Sequence, residues 1–212
     1  MQSEFWHNRW KNNEIGFHES TPNNNLIAHI DKLEMPLGSC WLLPLCGKTL
    51  DIAWLVSQGY RVTGIELSEL AIQQLFVEMG IDPVITQLHD MKRYQADNMD
   101  IWVGDFFNVS ECMLGEIDAV YDRGSLVALP KAMRGPYSAH LKAITHNAPQ
   151  LLVCYLYDQN EIEGPPFSIS LEELKARYGE VYNLQCVSSQ DVSDKRGVNV
   201  SIDEQVWLLK PF

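Results

Sequence analysis

Three charged side chains stand where short apolar runs stop. Glu66 ends Arg61–Ile65 (RVTGI), Asp105 follows Asp100–Val103, and Arg123, beside Asp122, follows Ile117–Tyr121 (IDAVY). If these runs are parallel strands, all three side chains sit at carboxyl ends, where doubly wound folds bind their ligands. An acid at the end of the second strand, about 20 residues past the first turn, is placed to accept both hydroxyls of a ribose. Asp105, within Gly104-Asp105-Phe106-Phe107, can accept from an adenine amine while an aromatic ring lies on the base. Each acid has a plain alternative as a solvated strand end or turn, and Asp122-Arg123 as a structural ion pair. Taken together, the two acids describe an adenosine without phosphates, and Arg123 can reach a carboxylate or a second substrate.

Phosphate cradles are excluded at the first turn, Pro44-Leu45-Cys46-Gly47-Lys48-Thr49. A P-loop needs a glycine where Leu42 stands, and Gly47 alone does not make a dinucleotide fingerprint. The six histidines show neither H-E-x-x-H nor tight ligand spacing, so no metal site is expected. There is no G-x-S-x-G nucleophile elbow and no N/D-P-P-Y/F motif for amino-group methylation. No histidine falls at a strand end, and no residue is assigned as a catalytic base.

The elements that must hold these residues can be traced along the chain. Cys40–Leu45 reads as a buried strand, Leu50–Gln58 as a helix closed by Gly59, and Arg61–Ile65 as a second strand. Ser68 is placed to cap a helix to about Met79 through its hydroxyl. Asp100–Val103 and Ile117–Tyr121 are the third and fourth strands, Ala132–Thr145 a helix, and Leu151–Tyr157 a fifth strand. Ser170 with Glu173 forms a capping-box pattern for a helix to Tyr178. Two strands near Tyr182–Ser188 and Glu204–Leu209 follow without a helix between them, so they should pair antiparallel. The expected fold is α/β: a doubly wound, mainly parallel, seven-stranded sheet with helices on both faces.

Residues 1–35 precede that sheet and are expected to be a helical lid, giving one domain with a core over 36–212. Phe5, Trp6, Trp10 and Phe17 dominate this extension; Phe5 and Trp6 read as core. Polar residues surround Trp10 and Phe17, with Gly16 as a hinge. Such aromatic faces also attract a sulfonium cation, by roughly 0.5 to 2 kcal/mol.

Bulk properties fit a small-molecule protein. The 212 residues are 46% hydrophobic, and a formal charge of −12 disfavours nucleic acid and anionic membranes. Neither a signal peptide nor an apolar span of about 20 residues is evident. Five scattered cysteines without C-x-x-C suit reduced thiols in the cytoplasm.

The chain resembles the thiopurine S-methyltransferases, in particular their bacterial branch. The matching pieces are Phe5-Trp6-His7 with Trp10, Ile15-Gly16-Phe17-His18, Leu43-Pro44-Leu45-Cys46-Gly47-Lys48 and Gly64-Ile65-Glu66-Leu67-Ser68. Gly104-Asp105-Phe106-Phe107, Asp122-Arg123-Gly124 and Gly164-Pro165-Pro166-Phe167 continue them in order. The resemblance implies a class I, Rossmann-like fold using S-adenosyl-L-methionine, held by Trp10, Leu45, Glu66, Asp105, Phe106 and Arg123. It also implies that Phe17 lies near the acceptor, an aromatic or heterocyclic thiol such as a thiopurine, with selenium or tellurium compounds as further acceptors. A cytoplasmic monomer is expected. A methyltransferase with another acceptor atom, or a non-catalytic nucleoside-binding domain on the same scaffold, are the alternatives. Residues His89–Asp97 match no motif.

Overall fold

The computed structural model describes residues 3–193 and 200–212. Five parallel strands form the centre: β1 (Cys40–Pro44), β2 (Arg61–Glu66), β5 (Met99–Val103), β6 (Ala119–Arg123) and β7 (Gln150–Leu156). Covered on both faces, they cannot alternate apolar with polar residues, and all five positions of β1 are buried. One face is packed by α2 (Asn24–His29), α3 (Asp51–Ser57) and α4 (Glu69–Met79) through Leu26, Ile52, Leu55, Ile72 and Phe76. The other carries α5 (Glu111–Leu114), α6 (Lys131–Ile144) and α7 (Leu171–Tyr178) through Leu114, Tyr137, Leu141, Leu174 and Tyr178.

With β3 (Val84–Leu88), β4 (Met91–Ala96), β8 (Tyr182–Asp191) and β9 (Asp203–Pro211), the strand order is β3-β4-β5-β2-β1-β6-β7-β9-β8. The chain winds outward from β1 to β2 and β5, then returns to the other side of β1 to form β6. The switch point therefore lies between β1 and β6, where a doubly wound sheet opens a crevice. The last two strands pair antiparallel, as expected, with β9 inserted beside β7.

The sheet has nine strands among the described residues, not seven. The added hairpin, β3 with β4, turns at His89 (φ 52°) and pairs antiparallel against β5. Its pattern is illegible because β3 is exposed throughout and β4 buries only Met91 and Tyr94, one toward each face. Side chains anchor it instead: Glu69 accepts from Lys92 Nζ at 2.6 Å and from the Tyr94 hydroxyl at 2.7 Å, and Arg93 pairs with Asp100.

Smaller corrections follow. β6 runs to Arg123, so Asp122 and Arg123 are strand residues and not a following turn. Ser68 stands at the helix N-cap, but its hydroxyl makes no capping bond. Ser170 does cap, accepting from the Glu173 amide at 3.2 Å, while the Glu173 carboxylate turns to Arg134 and Arg177. The N-terminal extension is not continuously helical: α1 (Ser3–Lys11) ends well before α2, and residues 12–23 are irregular. Phe5 and Trp6 are half-buried and not core.

Candidate active site

A cavity of about 980 Å³ opens at the switch point. Trp10, Phe17, Leu45, Glu66, Asp105, Phe106 and Arg123, all seven residues singled out from the sequence, line it. They are brought together from α1 and the loop after it, the turns after β1 and β5, and the ends of β2 and β6.

Its most organised part is the turn after β1. Leu45 and Gly47 take φ of 47° and 54°, a left-handed path that is unusual for leucine. A side chain at Gly47 would place its Cβ 2.9 Å from the Trp10 indole, so glycine is required both by the turn and by this approach. The turn brings the Gly47 amide to donate to Glu66 Oε2 at 2.8 Å, while the Ser68 amide donates to Oε1 at 2.7 Å. A carboxylate offers four lone pairs, so acceptor capacity remains for a ligand. Glu66 is 6% exposed. Burial pushes its carboxyl above the ordinary glutamate value, and the Ser68, Gly47 and Leu67 amides pull it back.

The neighbouring residues take defined parts. Asp105 is exposed, and its Oδ1 accepts from the Phe107 amide at 3.0 Å, which fixes the loop that starts at Gly104. Phe106 is buried against Tyr137, ring centroids 4.9 Å apart. Lys48 pairs with Glu78 at 2.5 Å and Thr49 donates to Asp51, which accounts for the Gly47-Lys48-Thr49 string without any phosphate. Asp122 is wholly buried and structural: the Leu126 amide and the Tyr137 hydroxyl donate to it at 3.1 and 2.7 Å.

The opposite wall belongs to the N-terminal segment. Trp10 is 4% exposed, and its ring meets Phe17 edge-on with centroids 5.5 Å apart. Arg123 donates to the Phe17 carbonyl at 3.2 Å and pairs with Glu19 at 2.6 Å. The sequence offered Asp122-Arg123 as a structural ion pair or Arg123 as a ligand residue; in the structure Arg123 pairs with Glu19 and not with Asp122, and it lines the cavity. Asn23 donates through its amide to buried Asp51 at 2.7 Å and through its side chain to Glu19 at 3.0 Å. Glu204 accepts from the Tyr155 hydroxyl and from Asn25 at 2.9 and 2.8 Å. Pro165 and Pro166, in the loop after β7, complete the rim.

Lining residues that sequence reasoning did not single out include His18, Glu19, Asp51, Tyr121 and Glu204. His18 adjoins Phe17, and a search restricted to strand ends passes over it. Burial lowers its pKa, and Lys48 lowers it further, favouring the neutral ring. Tyr121 had a legible signal, since it lies two residues before Arg123 on the same face of β6. Among the described residues no group of three or more His, Cys, Asp or Glu could hold a metal, and no helix is long and apolar enough to cross a membrane.

A turn that anchors a strand-end acid beside an acid-aromatic loop suits an adenosine, and the rings of Trp10 and Phe17 can attract a sulfonium through their faces. Two solved structures share the fold. A TehB-like SAM-dependent methyltransferase from Corynebacterium glutamicum is 15% identical, covers 98% of each chain and has a TM-score of 0.58. A Burkholderia thailandensis 1,6-didemethyltoxoflavin-N1-methyltransferase, solved with its substrate and S-adenosylhomocysteine, is 16% identical over 98% of this chain and 87% of that one, with a TM-score of 0.65. The fold is that of the class I S-adenosylmethionine-dependent methyltransferases. Within that class, the family model for thiopurine S-methyltransferase matches residues 1–211, and the chain belongs to this family. Curated thiopurine S-methyltransferases from Teredinibacter turnerae and Xanthobacter autotrophicus are 46% and 44% identical, covering 99% of this chain and 97% and 99% of their own lengths.

Proposed function

We propose that the protein methylates the sulfur of an aromatic or heterocyclic thiol, thiopurines included, with softer selenium or tellurium nucleophiles as further acceptors. The observation that carries this reading is Glu66, held by two main-chain amides at the end of β2 with lone pairs left over beside the cavity. Glu66 takes the ribose hydroxyls, Asp105 and Phe106 hold the adenine, and Leu45 with Trp10 borders the methionine portion. Arg123 completes the cofactor site, and Phe17 faces the acceptor. Bound there, S-adenosyl-L-methionine supplies an electrophilic methyl group on a positively charged sulfur. The acceptor's sulfur would take that methyl group as a thiolate, its proton having passed to solvent before the site closes.

No residue is required to activate a thiolate, which is already a competent nucleophile. The chain's task is alignment and exclusion of water. Positioning alone can supply several kcal/mol, up to about 7–11. The segment before α2 acts as the cover in one methyltransferase unit; the expected lid of residues 1–35 is too long, because Leu26, Ile30 and Leu33 are buried in the core of the sheet. The protein works as a monomer in the cytoplasm on small molecules and not on nucleic acid. The charge of −12 and unpaired Cys40, Cys46, Cys112, Cys154 and Cys186 support that reading.

The test is a screen with methyl-labelled S-adenosylmethionine against aromatic thiols, selenols and phenols. Label should appear on sulfur and selenium acceptors. Label on phenols alone, or none with any acceptor, would remove the S-methyltransferase reading in favour of another acceptor atom or a non-catalytic domain.

A further inference from the structure

The Gly164-Pro165-Pro166-Phe167 string takes no part in the cofactor cradle, yet its surroundings hold it closely. Pro165 and Pro166 line the cavity from the loop after β7. Two adjacent prolines bring no amide hydrogen, so this stretch cannot fix itself through its own main-chain donors. Its neighbours hold it instead: the Tyr157 hydroxyl donates to the Pro166 carbonyl at 2.6 Å, and the Phe167 amide donates to the Val127 carbonyl at 2.6 Å. The Phe167 ring packs on Gly164, where an added Cβ would stand 2.7 Å from it. The Arg134 guanidinium lies over the same ring, 5.2 Å from its centroid.

Arg134 is 3% exposed, stands near the N-terminus of α6 and lies outside the cavity lining. Its Nε donates to the Leu129 carbonyl at 2.8 Å, and its Nη1 donates to the Ser168 carbonyl at 3.3 Å and to Glu173 Oε2 at 2.9 Å. Leu129, with Val127 and Ala128, lines the cavity from the segment after β6. One planar fork therefore joins two rim segments, the turn after β6 and the loop after β7. Stability gives little reason for a cation here. It opposes the helix dipole, and a buried ion pair costs about as much in lost hydration as it returns. What a guanidinium supplies, and an ammonium or an apolar chain does not, is fixed geometry among several acceptors. With the adenosine placed at β2 and β5, this rim lies across β1 and borders the acceptor half of the crevice.

We infer that Arg134 is a positioning residue that clamps the turn after β6 to the Pro165-Pro166 loop and so fixes the wall against which the acceptor ring lies. This inference rests on the S-methyltransferase reading. Arg134 touches neither acceptor nor cofactor; it acts through the two prolines.

The experiment compares wild type, Arg134→Lys and Phe167→Leu with thiophenol and the wider 2-naphthalenethiol as acceptors. Lysine keeps the charge beside Glu173 but cannot bridge both carbonyls. In Arg134→Lys, KM for thiophenol should rise about 10-fold, the low end for one charge-assisted hydrogen bond. KM for 2-naphthalenethiol should rise less, because a wider ring still reaches a wall that has receded. Phe167→Leu should shift the two acceptors in the same order by a smaller factor. Affinity for S-adenosylhomocysteine, by calorimetry, should stay at the wild-type value in both variants. A merely structural defect lowers the active fraction instead, cutting kcat for both acceptors equally and leaving each KM in place. That outcome, one common factor on both KM values, or weaker S-adenosylhomocysteine binding would overturn the clamp while leaving S-methylation intact. If Arg134→Lys fails to fold, Phe167→Leu decides by the same readouts. Failure of the wild type to methylate either thiol would overturn the S-methyltransferase reading and the clamp with it.

Discussion

Glu66 and Arg123 stand at the ends of β2 and β6 on the two sides of one crevice, yet they are fixed by different means. Glu66 is gripped by main-chain amides from Gly47 and Ser68, on turns continuous with β1 and β2. Arg123 is gripped by Glu19 and the Phe17 carbonyl, from a segment that precedes the sheet. The first arrangement forms whenever the parallel strands form. The second exists only while residues 12–23 lie across the opening, and each of its contacts is one that a ligand group can take over. We propose that the adenosine cradle is built into the sheet, whereas closure of the N-terminal segment over the site is a separate, weaker step.

Four changes probe that division. The largest effect is expected from Glu66→Ala. It removes charge-assisted hydrogen bonds worth roughly 1.5–3 kcal/mol, about 10- to 150-fold in affinity for S-adenosylhomocysteine by calorimetry. It also strands the Gly47 and Ser68 amides, so its melting temperature should fall as well. Unchanged affinity would mean that the acid is only a strand end.

Deleting residues 1–17 comes next. Misplacing reacting groups by about 1 Å can cost on the order of 100-fold, and turnover should fall by that order. The stability cost should stay near the burial of one large side chain, Trp10, about 3 kcal/mol. Loss of the folded state, seen by circular dichroism, would place the segment in the core instead.

Glu19→Gln should do less. The pair it weakens has Glu19 42% exposed, so screening by solvent leaves under about 1 kcal/mol in the tie to Arg123. Cleavage by trypsin near Lys11 should nonetheless accelerate in the free protein.

The smallest effects are those of pH, and they carry opposite signs. Burial holds the folded-state value of Glu66 above the ordinary 4.5, so its contribution to stability is complete below that value. It is lost as pH rises through the raised value. Cofactor affinity should run the other way, weakening as pH falls through the same window, because the carboxylate form accepts the ribose hydroxyls. Glu66→Gln should show neither slope. The rising limb of the methylation rate should track each acceptor's own thiol, and His18→Gln should leave it in place. A limb fixed at one pH below the ordinary histidine value for every acceptor, and abolished in His18→Gln, would identify that ring as a general base.

What the sequence made legible divides along the same line. Glu66, Asp105, Phe106 and Arg123 were found because buried parallel strands read as apolar runs, and the charge that ends such a run announces itself. The β3–β4 hairpin was not, because an exposed edge strand has no apolar face to display and Glu69 anchors it across 23 and 25 residues. Ser68 misled for a related reason: the residue type marks a helix start, but its main-chain amide is bound to Glu66 and its hydroxyl makes no cap. Asp51, Glu19 and Glu204 stayed hidden since their partners, Asn23, Arg123 and Tyr155, are distant in sequence. Long-range side-chain pairing leaves no period to read.

Amide hydrogen exchange, followed with and without S-adenosylhomocysteine, tests the division between built-in cradle and displaceable cover most directly. The Gly47 and Ser68 amides should exchange slowly in both states, since Glu66 holds them in the free protein. The amides of residues 12–19 should exchange rapidly in the free protein and slow markedly once the ligand is bound. Equal protection of residues 12–19 in both states would contradict a separate closing step and make the N-terminal segment a fixed wall of the site.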